Sequence, residues 1–122
     1  MTMNQSFYTA PSSIANGEKG LFASRFIAKG EILIVDFHRK EGSNTGVFEY
    51  DYTQSKTTAH INHSYTPNTV CNYNRKSDVF VRSALRDIRQ GEEITANYRE
   101  ILDQAKAIGQ VFQQDWMFFE RK

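Results

Sequence analysis

At 122 residues, 39% hydrophobic and 24% charged, the chain has the size and composition of one soluble globular domain able to bury a core without staples. A formal net charge of +1 excludes a strong electrostatic pull toward nucleic acid or an anionic membrane, so neither is expected as a direct partner. The single cysteine, Cys71, excludes an intramolecular disulfide and suits a reducing compartment.

No run of about 18 apolar residues is present to cross a membrane. Residues 1–10 lack the basic and apolar regions of a signal peptide. The expectation is one intracellular, soluble domain over residues 1–122, cytoplasmic, or nuclear if the source is eukaryotic or viral. Residues 99–122 would form its C-terminal helix and aromatic tail.

Residues 6–10 are expected to form a short edge strand stopped by Pro11, and residues 12–16 a second short extended piece. Asn16-Gly17 is a strong turn signal, and Gly20 allows a positive φ or a close backbone approach. A hairpin turn is the plain reading of this stretch, and a backbone cradle for a cofactor is the functional one. Residues 25–31, Arg-Phe-Ile-Ala-Lys-Gly-Glu, lead into the apolar run Ile32, Leu33, Ile34 and Val35. Residues 86–92, Arg-Asp-Ile-Arg-Gln-Gly-Glu, repeat the same pattern before Glu93, Ile94 and Thr95. Two glycine-closed turns that each feed a strand predict two small sheets with similar edges. The repeat is too short for a solenoid.

Residues 41–46 read as a polar loop, and residues 47–52 alternate aromatic and acidic side chains as a half-exposed strand does. Residues 61–68, Ile-Asn-His-Ser-Tyr-Thr-Pro-Asn, are dense in side chains that bond to nearby backbone, which predicts a loop. Residues 69–73 and 79–83 read as strands of a hairpin closed by residues 74–78. After Tyr98 the period changes. Ile101, Ala105, Ile108 and Phe112 share one helical face, Leu102 and Val111 widen it, and Gly109 weakens it. The tail carries Trp116, Phe118 and Phe119, an apolar cluster expected to dock on the domain or on a second copy, hence a possible homodimer. The sum is mostly β with a little α and no βαβ unit, which argues against a Rossmann-type fold.

Three motifs in order carry a resemblance to one family: Gly20-Leu21-Phe22-Ala23 with Ile27, Gly30 and Glu31; Asn62-His63-Ser64 with Pro67-Asn68; and Ile88 with Gly91-Glu92-Glu93-Ile94-Thr95 and Tyr98. Together they resemble the SET domain of protein lysine methyltransferases over nearly the whole chain, in the minimal form found in viruses and bacteria. The resemblance implies a mostly β, SET/β-clip-like fold of small curved sheets with a pseudoknot and a C-terminal helix. It implies transfer of a methyl group from S-adenosylmethionine to a lysine of a protein or peptide substrate.

By the same resemblance, Asn62 holds the methionine end of the cofactor and the backbone of His63 pairs with the adenine edge. The main chain at Lys19, Gly20 and Leu21 cradles the cofactor, and Trp116 of the tail joins the cofactor-binding set. Tyr98 is the catalytic phenol, and Tyr50, Tyr52 and Tyr73 are candidates for the substrate channel. The chain departs from the family at Glu18, where a glycine is common, at Asn97, where an acid often precedes the tyrosine, and at Arg99 and Glu100, where a second tyrosine often follows. Cys71 stands near where some members place a channel tyrosine. These departures keep open an alternative, a SET-fold module that binds a peptide or protein with weak or no turnover, and a β-rich scaffold with coincidental motifs is a third reading. No metal is expected. His60, His63 and Cys71 fall short of a four-ligand zinc set, Tyr65 follows Ser64 where many members have a cysteine, and the tail has none.

Overall fold

Two four-stranded sheets organise residues 6–113, the part of the chain that the computed structural model describes. The first sheet has the order β1 (Phe7–Pro11), β2 (Lys19–Ala23), β8 (Glu93–Ala96) and β5 (Asn62–His63). Its last pairing, β5 with β8, is parallel, and the others are antiparallel. The second sheet has the order β4 (Tyr52–Gln54), β3 (Ile32–Arg39), β7 (Val79–Ala84) and β6 (Thr69–Asn74), all antiparallel. Two register shifts in β3 against β7 curve this sheet. The fold is mostly β with small curved sheets and a C-terminal helix, as the resemblance implies.

Each sheet has its own core. Leu21, Ala23, Ile27, Ile61, Ile88, Ile94 and Ala96 pack within the first. Phe37, Phe48, Tyr52, Cys71 and Phe80 pack in the second, closed by Ile101 and Ala105 of α2 (Arg99–Ala107). Between the cores the side chain of Asn68 substitutes for a strand. Its Nδ2 donates to the Glu93 carbonyl at 2.8 Å, and its Oδ1 accepts from the Thr95 N–H at 2.8 Å. This ties the end of the 61–68 loop to the last strand.

The repeated heptapeptides fold alike. Ile27 and Ile88 face each other in an antiparallel bridge. Arg25 pairs with Glu31 as Arg86 pairs with Glu92. Glu31 also accepts from the N–H of Ala28, and Glu92 from that of Arg89. The glycine before each glutamate has φ near +86° and +87°, the left-handed region that disfavours any side chain.

Four expectations need correction. Asn62 and His63, expected within a loop, form the short strand β5. Residues 47–52 are not a strand: Phe48–Asp51 form one helical turn, α1, and β4 starts only at Tyr52. The buried Asp51 carboxylate takes the N–H groups of Thr45 and Gly46 at 2.8 Å each, and the hydroxyls of Ser43 and Thr45, which coils the preceding loop around it. Residues 12–16 are not extended either. The Ser12 hydroxyl accepts the N–H groups of Ile14 and Ala15 and folds the segment into a loop. Finally, α2 stops at Ala107, and Ile108 and Phe112 reach the second core from beyond its end. Trp116 and the rest of the aromatic tail lie outside the described residues. No helix among the described residues is long and apolar enough to cross a membrane.

Candidate active site

The first sheet presents its β5 and β8 ends to two adjoining cavities. One, of about 410 Å³, lies between the loop carrying Ile14, Ala15 and Asn16 and the segment from Asn62 to Tyr65. The other, of about 300 Å³, runs between Gln54, Thr58 and Ile61 on one side and Arg82, Ala96 and Ile101 on the other. Glu18, Asn62 and Tyr98 line both, so the two spaces meet at these three side chains.

Asn62 stands on β5, where its backbone pairs with Thr95. Its amide Nδ2 donates to the Lys19 carbonyl at 3.0 Å and to Glu93 Oε2 at 3.2 Å. His63 follows on the same strand and accepts the Tyr98 N–H at Nδ1, 3.1 Å away. Its ring stands edge-on to Tyr65, with centroids 4.6 Å apart. Tyr98, at the start of α2, donates its hydroxyl to the Ile61 carbonyl at 2.6 Å. Burial, reinforced by the charge of Glu18 and opposed by that of Arg82, pushes the phenol up to about 12. It is therefore neutral at physiological pH.

The other expected residues fall elsewhere. Lys19, Gly20 and Leu21 are strand residues of β2 that line neither cavity, and Leu21 points into the first core. Gly20 is required by packing: a Cβ there would sit 2.9 Å from Glu93 Cδ and 3.3 Å from Ser12 Cα. Tyr50, Tyr52 and Tyr73 also line neither cavity. Tyr52 and Tyr73 both donate to Asp78 Oδ1, and Tyr50 accepts from Gln113. The second core places Tyr52 and Tyr73 there, Tyr52 packing on Phe48 and Phe80 and Tyr73 on Phe80, whereas Tyr50 is exposed. Cys71 is in that core as well, and burial pushes its thiol well above the ordinary range. Among the described residues no group of three or more His, Cys, Asp or Glu could hold a metal ion.

Two polar devices under the cavities were not anticipated. Glu93 is buried beside Gly20 and accepts from Ser12 Oγ at 2.8 Å, Ser13 N at 2.8 Å and Ser13 Oγ at 2.7 Å. Desolvation raises its carboxyl, but these bonds and that of Asn62 outweigh it and hold the group below the ordinary range. Glu93 thereby fixes the loop that walls the larger cavity. Asp36 and Arg82, 0% and 1% exposed, form a buried ion pair. Arg82 Nε donates to Asp36 Oδ2 at 2.8 Å, Nη1 donates to Thr69 Oγ1 at 3.0 Å, and Thr58 Oγ1 donates to Asp36 Oδ1 at 2.9 Å. A strand position holding Asp or Arg amid apolar neighbours was the available signal, since such groups are buried only when paired.

The family model of the SET domain matches residues 18–99. No curated protein sequence matches the chain. Among solved structures, a candidate histone methyltransferase of Plasmodium falciparum superposes with a TM-score of 0.57 at 19% identity, covering 79% of this chain and 95% of that one. The Chaetomium thermophilum polycomb repressive complex 2 gives 0.60 at 20% identity, covering 79% of this chain and 15% of that one. An autoinhibited form of that complex bound to S-adenosylmethionine gives 0.60 at 18% identity, covering 85% and 17%. At these identities the superpositions establish a shared fold.

Proposed function

The chain belongs to the SET-domain family, and from that premise we propose that it transfers a methyl group from S-adenosylmethionine to a lysine side chain of a protein or peptide. The observation that carries the reading is the shared wall. A larger cavity and a narrower one meet at Tyr98, so two ligands entering separately could bring their reacting atoms together there.

The larger cavity fits the cofactor in size, within the range of small-molecule sites, and in chemistry, with ring faces at His63 and Tyr65 beside the polar groups of Asn62 and Ser64. Both amide protons of Asn62 are committed to Lys19 and Glu93, which leaves its carbonyl oxygen for the ammonium of the methionine end. When bound, S-adenosylmethionine supplies an electrophilic methyl group on a sulfonium sulfur. Tyr98 gives its proton to Ile61, so its oxygen presents lone pairs to the positive charge spread over the reacting atoms. Ile61, Ala96 and Ile101 keep water from the narrower cavity and favour the neutral, nucleophilic amine.

A second reading, a peptide-binding module without turnover, draws on Glu18, whose charge at the junction would repel the cofactor carboxylate. Incubating the purified chain with methyl-labelled cofactor and a library of lysine-centred peptides separates the two. Label on lysine is the expected result. Cofactor binding without label supports the second reading, and no calorimetric heat at millimolar cofactor ends the first.

A further inference from the structure

The proton that lysine must lose has no evident acceptor among the expected residues. A lysine amine enters as an ammonium, since its ordinary pKa is about 10.4, and only the neutral amine has a lone pair to attack with. Tyr98 already donates its hydroxyl and stays neutral, so it is no base at physiological pH. His63 lines only the larger cavity, and its Nδ1 is occupied by the Tyr98 N–H. Arg82 is a cation bound to Asp36.

We propose that Glu18 is a catalytic residue of this site, whose carboxylate receives the lysine ε-ammonium and takes its proton. The inference rests on the methyl-transfer reading above. Glu18 is one of the three residues that line both cavities. The polar hydrogens of the other two, Asn62 and Tyr98, are spent inside the protein. The Glu18 carboxylate makes no hydrogen bond or ion pair among the described residues, although its charge is felt at Tyr98. Its backbone is nevertheless held: its N–H donates to the Ala15 carbonyl at 3.1 Å, and its carbonyl accepts from the Ser12 N–H at 2.8 Å. Ser12 in turn is anchored to Glu93. An uncommitted carboxylate on a fixed main chain at the meeting point of two cavities is suited to bind a cation there.

The step balances without another reagent. An N–H proton of the ammonium passes to Glu18, leaving a neutral amine. The amine lone pair forms the N–C bond as the C–S bond breaks, and that electron pair stays on sulfur. The methylated amine carries the positive charge away, and Glu18 releases its proton to solvent.

The test compares wild type with Glu18→Gln, using Nα-acetyl-lysine amide as the acceptor probe, from pH 7 to pH 9.5. The titratable and charged groups facing Glu18 are His63, Tyr65 and Tyr98 from the larger cavity and Arg82 from the narrower one, with Glu93 behind the loop. At pH 7 the variant should be slower by about 10²-fold, the low end for loss of a general base. The gap should narrow at least tenfold by pH 9.5, where solution supplies far more neutral amine. Calorimetry with S-adenosylhomocysteine should give an affinity within about threefold of wild type, and the melting temperature should hold. A variant that binds S-adenosylhomocysteine more tightly and transfers methyl at least as fast would show that Glu18 only repels the cofactor, and would overturn the proposal. So would a deficit of equal size at both pH values. A wild type that binds S-adenosylhomocysteine but labels no lysine removes the methyl-transfer reading itself, and this proposal with it.

Discussion

Tyr98 and the pair Tyr52 and Tyr73 are the same residue type put to opposite uses. Tyr98 donates to a single backbone carbonyl, at 2.6 Å, and its ring lines two cavities. Tyr52 and Tyr73 converge on one carboxylate, Asp78, at 2.5 Å and 2.8 Å. Arg39 completes that cluster, bonded to Asp78 Oδ2 at 2.6 Å and stacked 4.8 Å from the Tyr52 ring centroid. The second arrangement closes the hairpin of β6 and β7 against β3 and β4, and both phenols lie outside the two cavities. Burial and the neighbouring Asp78 charge raise both phenols, while the Asp78 carboxyl is desolvated but held low by its three partners. A tyrosine's chemistry is thus decided by what its hydroxyl is spent on and what space it faces.

The sharpest test of that contrast is Tyr98→Phe. The ring and its packing survive, and only the oxygen at the junction is lost. Turnover on a lysine peptide is expected to fall on the order of 10²–10³, with cofactor affinity and melting temperature nearly unchanged. A variant working at the wild-type rate would take Tyr98 out of the chemistry and erase the difference between the two regions.

Asn62→Ala probes the cofactor side of the same junction. Removing the amide takes one donor from Glu93 and one from the Lys19 carbonyl and deletes the oxygen assigned to the cofactor. Calorimetry with S-adenosylmethionine should show weakening of about 1–3 kcal/mol.

Tyr52→Phe addresses the other region. Asp78 would lose one donor but keep Tyr73, Arg39 and access to water, so denaturant unfolding should show a loss of about 1 kcal/mol. Turnover should not change. If Tyr52→Phe slowed methyl transfer as much as Tyr98→Phe, the two regions would be one site.

The smallest effect is confined to acid. The Glu93 carboxyl is depressed in the folded protein, so its stabilising contribution is complete above the ordinary glutamate range near 4.3 and is lost as pH falls through the folded value. The melting temperatures of wild type and Glu93→Gln should therefore converge as pH falls from about 5 through the depressed folded value. Parallel curves across that range would mean that the 12–18 loop does not depend on the Glu93 charge.

Much of the frame was legible in sequence because it rests on local devices. The twin heptapeptides announce two equivalent turns, since Gly30 and Gly91 supply a conformation other residues resist and each glutamate finds its own arginine six positions back. The hairpin at residues 69–84 and the apolar face of α2 follow from alternation and from helical spacing. Asn62, His63 and Tyr98 stood out because clustered polar side chains and a phenol after an apolar run announce themselves, although the first two lie on β5 and Tyr98 at the start of α2. The helical turn at Phe48–Asp51 did not, because its cause is a carboxylate that binds backbone behind it, and alternating aromatic and acidic residues look the same in either conformation.

What tertiary structure alone decided is which polar groups meet. Glu93 reaches Ser12 and Ser13 across some eighty positions of chain, and Asp36 reaches Arg82 across forty-six. Gly20 is small for the sake of Glu93, and Glu18 stands beside Tyr98 because β2 and β8 are neighbours in the first sheet. Periodicity and turn chemistry act over a few residues, so they set the elements and their order. The desolvation of a charge and the partner that offsets it depend on distance in space, which no local pattern encodes.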